Sequence, residues 1–154
     1  MKDSHRGSPD VGSGVGAFGG TRPVILAIDD EKAVLFTLQA VLEKSGFRVL
    51  TALDGVAGLD TFRKSAPAIV LTDIIMPQQD GIGAIMQMRR ERPATKIVAV
   101  SGGGRVGDSD FLTVALKLGA DAAIHKPFDT GEFLTVLRPL LDRRPVVPAK
   151  VPAV

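Results

Sequence analysis

Four places along this 154-residue chain put polar, chemically able side chains directly behind a short apolar run. Asp29-Asp30-Glu31 follows the run 24–28, Asp73 follows 68–72, Ser101-Gly102-Gly103-Gly104 follows 97–100, and His125-Lys126-Pro127 follows 122–124. Brought together, Asp29, Asp30 and Asp73 make an acidic pocket that cannot stand unaided. Two like charges about 4 Å apart repel by roughly 4 kcal/mol at an effective dielectric near 20, so three carboxylates require a counter-charge. A divalent cation supplies it. An all-oxygen set of few ligands on rigid strand ends suits Mg2+, which keeps several waters and a substrate phosphate, better than a calcium cage. Lys126 and Ser101 add an ammonium and a hydroxyl, both groups that bind phosphate oxygens.

The elements that must position these groups are readable from hydrophobic period. Short strand-type runs alternate with longer segments of helical period, five of each, which is the pattern of a parallel sheet with crossover helices. The runs 24–28, 68–72 and 97–100 are almost continuously apolar, as central strands buried on both faces should be, whereas 48–52 and 122–124 are weaker and belong nearer the edges. Val34, Leu35, Leu38, Val41 and Leu42 mark the first helix, stopped by Gly46. Val56, Leu59 and Phe62 mark the second, with Asp54 as N-cap. Ile82, Ile85 and Met86 mark the third; Phe111, Leu112, Ala115, Leu116 and Leu118 mark the fourth, ended by Gly119. Phe133, Leu134, Leu137, Leu140 and Leu141 mark the fifth, opened by Asp129 with Glu132 three residues on. The expected fold is α/β, a flavodoxin-like doubly wound (βα)5 with a five-stranded parallel sheet in order 2-1-3-4-5 and helices on both faces. In such folds ligands bind beyond the C-terminal ends of the strands, where the four polar groups stand.

Composition narrows the possibilities. With no Cys there is no disulfide framework, thiol catalysis or zinc-thiolate site. Residues 1–21 are Gly-rich without apolar period and are expected to be a disordered tail; residues 22–142 are expected to fold; residues 143–154 carry Pro145, Pro148 and Pro152 among Val and Ala, an extended basic tail. The stretch 21–142 holds 14 Lys or Arg against 15 Asp or Glu, so it has no cationic excess to gather on one face and direct DNA binding is not expected. No apolar run approaches the roughly 20 residues of a membrane span, and no signal peptide opens the chain, so no membrane insertion and a cytoplasmic location are expected.

The set as a whole resembles the receiver domain of two-component response regulators. The resemblance rests on Asp29-Asp30-Glu31, on Leu71-Thr72-Asp73-Ile74-Ile75-Met76-Pro77 with Asp80-Gly81 behind it, on Ser101, and on Lys126-Pro127-Phe128, and it covers about 120 residues. It implies that Asp73 is the phosphoacceptor, taking a phosphoryl group from a sensor histidine kinase or histidine phosphotransfer protein. Asp29, Asp30, Asp73 and the backbone carbonyl of Ile75 would hold Mg2+, Lys126 would pair with one phosphoryl oxygen, and Ser101 with the Gly102 amide would bind another. The Lys126-Pro127 bond is cis in the family. Such a protein is a phosphoacceptor that promotes its own phosphorylation and dephosphorylation rather than a dedicated enzyme, and a bacterial one.

Each residue alone has a duller reading: Asp29 and Asp30 as caps of the first helix, Asp73 as a turn residue, Ser101 as a loop hydroxyl, Lys126 as a solvated charge. Four such accidents at four strand ends is the less economical account. His125 is read as pointing away from Lys126, without acid or base work. Gly102-Gly103-Gly104 lacks the Lys-Ser or Lys-Thr pair of a nucleotide loop. Two features depart from the receiver pattern. Ala123 stands where most receivers have an aromatic switch residue, so residues 102–107 and the fourth helix are expected to carry the change instead. Only 12 residues follow the fifth helix, so the expectation is a stand-alone receiver, a monomer with possible dimerisation on phosphorylation, signalling through an unknown downstream protein. The alternatives are a phosphorylation-independent binding module, a phosphoryl sink or relay, and a haloacid-dehalogenase-type phosphohydrolase; the last needs an Asp two residues after the nucleophile, where this chain has Ile75.

Overall fold

The computed structural model describes residues 22–76, 81–102 and 108–141. Both tails, Pro77, Asp80 and the segment 103–107 lie outside the described residues. The elements run β1 Val24–Ile28, α1 Lys32–Lys44, β2 Arg48–Ala52, α2 Gly55–Ser65, β3 Ile69–Asp73, α3 Gly81–Glu91, β4 Lys96–Ser101, α4 Asp108–Leu118, β5 Ala122–His125 and α5 Thr130–Leu140. The strands form one parallel sheet in order β2-β1-β3-β4-β5, with the two weakly apolar strands at its edges as their composition requires.

The sheet divides two cores. Leu26, Ile28, Val70, Ile97 and Ala99 face Phe62, Ile85, Met88, Leu112 and Ala115 from α2, α3 and α4. Ile25, Val49, Leu71, Val98, Val100 and Ile124 face Leu42, Phe133 and Leu137 from α1 and α5. The alternation of neighbouring residues between these cores is the two-residue period of a strand buried on both faces.

The local signals act as their chemistry predicts. Asp54 caps α2 by accepting from the Ala57 amide at 2.8 Å, and Asp129 and Glu132 form a reciprocal capping box on α5. Gly46 and Gly119 take positive φ, at 100° and 143°, where α1 and α4 stop. Some residues that mark helical period do not build the core. Val56, Met86, Phe111, Leu116 and Leu118 are exposed, while the unmarked Ala84 and Met88 are buried alongside the marked Leu112 and Ala115. The helix faces are narrower than the apolar runs that announce them.

Three strands run one residue further than their apolar content suggests. Asp73 pairs with Val100 and Ser101 with His125, so these polar residues are the last rungs of the ladder rather than the first residues of loops. An apolar count stops at the last hydrophobe, whereas the hydrogen-bond ladder continues. The consequence is functional: strand backbone holds the reactive groups in place.

Candidate functional site

The site lies at the C-terminal edge of β1, β3, β4 and β5. β1 and β3 are direct neighbours, and this adjacency brings carboxylates 44 residues apart in sequence into one pocket. Asp29 and Asp73 are buried and Asp30 is exposed, and a carboxylate oxygen from each lies within 4.8 Å of the others. Neither Asp29 nor Asp30 caps α1. The N-cap position is Glu31, without a side-chain cap bond, and Asp29 Oδ1 instead accepts from the Glu31 amide at 2.9 Å. That contact turns the second carboxylate oxygen of Asp29 toward the pocket.

Lys126 supplies the counter-charge. Its Nζ donates to Asp29 Oδ2 at 2.7 Å and to Asp73 Oδ2 at 3.1 Å, and the Lys126-Pro127 bond is cis. Asp73 Oδ1 accepts from the Ile75 amide at 2.9 Å. Burial pushes the Asp73 carboxyl above the ordinary aspartate range, outweighing the Ile75 amide and the Lys126 ammonium, which both pull it down. Burial pulls Lys126 down, but the hydrogen bond to Asp29 and the charges of both carboxylates more than offset it and hold the ammonium above the ordinary lysine value. The pocket thus contains a tethered cation whose nitrogen lies where a second cation would also be attracted.

Ser101 is the last residue of β4, one beyond the Val100 that pairs with Asp73. Its Oγ is fully buried and makes no hydrogen bond among the described residues, which costs a hydroxyl about 1–3 kcal/mol unless a ligand supplies the partner. The Lys126 amide donates to the Ser101 carbonyl at 2.7 Å and locks the ends of β4 and β5 together. A Cβ at Gly102 would come within 2.7 Å of Lys126 Cδ and 2.8 Å of its Cβ, so the missing side chain is what lets backbone and lysine stem share this space.

The residues present fit a hard divalent cation. The donors are all oxygens, two of them buried on strand ends, with one exposed carboxylate leaving the pocket open for water and an incoming phosphate. The orphaned Ser101 hydroxyl and the Lys126 ammonium suit phosphoryl oxygens.

All of Asp29, Asp30, Asp73, Ser101, Gly102 and Lys126 therefore converge. His125 is exposed at the end of β5, and Ala123 packs against the core under α4. Two features escape sequence reasoning. The Lys126 contact with Asp29 spans 97 residues and has no local signal. Gly81 is the second: a Cβ there would lie 2.4 Å from the Asp73 carbonyl oxygen and 2.6 Å from Ile74 Cα, so α3 starts against the backbone of the β3 end. The pair Asp80-Gly81 was a signal of that approach, though not of its target.

Comparison with known proteins gives the same picture. Residues 25–138 match the family described as response regulator receiver domain. The chain is 33% identical over 126 residues to the transcriptional regulatory protein PrrA of Mycobacterium tuberculosis, covering 82% of this chain and 53% of that one. It is 33% identical over 120 residues to the alkaline phosphatase synthesis transcriptional regulatory protein PhoP of Bacillus subtilis, covering 77% and 48%. The chain spans about half the length of these curated relatives. Among solved structures it resembles a response regulator receiver domain protein from Methanospirillum hungatei, with TM-score 0.70, 28% identity and coverage of 77% and 93%, and one from Clostridium thermocellum, with TM-score 0.73, 28% identity and coverage of 79% and 95%. With the matched family extending over all five strands and the four strand ends that form the pocket, the chain belongs to the response regulator receiver domain family.

Proposed function

We propose that this protein accepts a phosphoryl group on Asp73 from a phosphohistidine of a sensor histidine kinase or phosphotransfer protein, and signals by protein contacts that depend on that modification. The observation that carries this reading is a buried carboxylate, Asp73, bonded to a tethered ammonium at the end of β3, with an unpartnered buried hydroxyl, Ser101, at the end of the neighbouring strand. A carboxylate oxygen of Asp73 attacks phosphorus, the P–N bond to the imidazole breaks, and the imidazole leaves with its electron pair. Asp29, Asp30, Asp73 and the Ile75 carbonyl would hold Mg2+, which would supply charge neutralisation for the transferring oxygens. This chain's own residues do the remainder. The Ile75 amide fixes one oxygen of Asp73, so the other is presented to the donor. Lys126 leaves the carboxylates for a phosphoryl oxygen, and Ser101 Oγ and the Gly102 amide donate to another.

The relatives are named as transcriptional regulators, and this chain matches about half of their length. The output proposed for the receiver itself is a change of protein partner on phosphorylation, in the cytoplasm; the 14 Lys or Arg against 15 Asp or Glu of residues 21–142 leave this domain no cationic excess for DNA. No helix among the described residues is long and apolar enough to cross a membrane. A phosphorylation-independent binding module is the second reading, favoured by one observation: Ala123 offers only a methyl group on the sheet face under α4.

Incubation with acetyl phosphate and Mg2+ followed by intact mass measurement separates the two. One added phosphoryl group that requires Mg2+ and is absent from Asp73→Asn supports the phosphoacceptor reading. An unchanged mass, with no accelerated consumption of the donor, supports the binding module.

A further inference from the structure

The phosphoacceptor reading gives Ser101 Oγ one partner, and a hydroxyl needs more than one. It carries one proton and two acceptor lone pairs, so donating to a phosphoryl oxygen leaves its acceptor side unmet in a fully buried place. Thr72, also buried on this side of the sheet, has its own hydroxyl committed to the Asp73 carbonyl at 3.0 Å. The acceptor side of Ser101 calls for a donor from a neighbouring strand.

Sheet register identifies that donor. Ile97 and Ala99 point into the core under α2, α3 and α4, while Val98 and Val100 point to the opposite core, so Ser101 continues the Ile97 and Ala99 row. On β5, Ala123 faces the same core as Ala99, and Ala122 and Ile124 face the other. His125 is two residues beyond Ala123 and stands in register opposite Ser101. Parallel neighbours are about 4.8 Å apart, a gap that an imidazole spans. The bond from the Lys126 amide to the Ser101 carbonyl holds this pairing at its end. His125 is solvent-exposed, and Ala123, the preceding residue of its row, presents only a methyl.

We propose that His125 is a positioning residue for the phosphoryl-binding hydroxyl. When Ser101 donates to a phosphoryl oxygen, the His125 imidazole turns from solvent and donates its N–H to Ser101 Oγ, carrying occupancy of the pocket to the β5 edge beside α4. The inference rests on the phosphoacceptor reading and goes beyond it by naming the group that reports the modification.

The chain contains two histidines, His5 and His125, so the imidazole region of a nitrogen-15 spectrum of the full chain reads His125 directly, with His5→Gln as assignment control. Mg2+ and beryllofluoride serve as the phosphoryl analogue, with the bound fluorine signal recording uptake at Asp73. The expected result is a His125 ring N–H whose solvent exchange slows about five- to tenfold on uptake, the fold-change of a hydrogen bond worth about 1–1.4 kcal/mol. Ser101→Ala should abolish the slowing and Ser101→Thr should restore it. His125→Phe and Ser101→Ala should each weaken analogue affinity, and the double variant no further than Ser101→Ala, because the His125 contribution passes through the Ser101 hydroxyl. A bound fluorine signal with an unchanged His125 ring, or additive losses in the double variant, overturns this inference and leaves the acceptor chemistry standing. No bound fluorine signal in the wild type overturns the phosphoacceptor reading beneath it.

Discussion

Replacing Lys126 by Met removes the ammonium and keeps most of the stem that packs against Gly102. At 2.7 Å and 3.1 Å the ammonium attracts Asp29 and Asp73 by about 6 and about 5 kcal/mol at an effective dielectric near 20, before desolvation is subtracted. Breaking a buried pair by removing one partner typically costs about 3–5 kcal/mol; the Lys126 side chain retains 19% exposure, so about 2–4 kcal/mol is expected here. The loss has two signatures that ordinary packing damage lacks. Asp73 already resists ionisation, and without Lys126 it holds its proton to higher pH, so the folded state binds more protons than the unfolded one and stability falls as pH rises. The destabilisation should thus be smaller near about pH 5 than near about pH 8. Mg2+ should also stabilise the variant more than the wild type, because it no longer competes with a tethered cation; a ligand at about 100 times its Kd contributes about 2.7 kcal/mol. Urea unfolding in chelator and in Mg2+, at both pH values, measures all of this. Equal Mg2+ stabilisation of the two proteins, or a loss independent of pH, would refute the idea that Lys126 occupies the pocket as its resident cation.

Other expectations follow from the same geometry. Asp73→Asn removes a carboxyl whose folded-state pKa lies above the ordinary value of 3.8, so its stability advantage over the wild type should grow as pH rises from there through the raised value and then level off. A difference that shrinks over that range in paired urea titrations would contradict the assignment of burial as the dominant cause. Gly81→Ala places a Cβ against the Asp73 and Ile74 backbone, and should cost about 1–3 kcal/mol in thermal or urea unfolding. Arg89→Met should cost about 1–3 kcal/mol, since the guanidinium donates to the carbonyls of Pro93, Thr95 and Gly119 and to Asp121, joining the end of α3 to the end of α4 and the start of β5. Because that cluster sits at the N-terminal edge of the strands, away from the pocket, metal affinity should not change.

The elements and the polar residues at their ends follow from local patterns that survive folding. Apolar runs of strand length, caps at Asp54 and Asp129, and stops at Gly46 and Gly119 each act over a few residues, and the fold preserves them. What depends on distant partners is harder to read. The tether from Lys126 to Asp29 requires knowing that β5 ends within reach of β1 across two intervening strands. Phe111 and Val56 look like core by period, yet the helix surface toward the sheet is filled by Ala115, Gly58 and their neighbours, where close approach leaves no room for larger groups. At Gly58 a Cβ would meet Ile28 Cδ1. The ends of β3, β4 and β5 lie one residue beyond the apolar signal because hydrogen bonding, not hydrophobicity, terminates a ladder.

Asp73 itself is predicted to become an acyl phosphate. The protein should be treated with acetyl phosphate and Mg2+, reduced with borohydride, digested, and the peptide containing position 73 sequenced by mass. An acyl phosphate at Asp73 is predicted to appear as homoserine at that position alone. Homoserine at Asp29 or Asp30 instead, or phosphate retained through reduction on Ser101 or His125, would contradict the account.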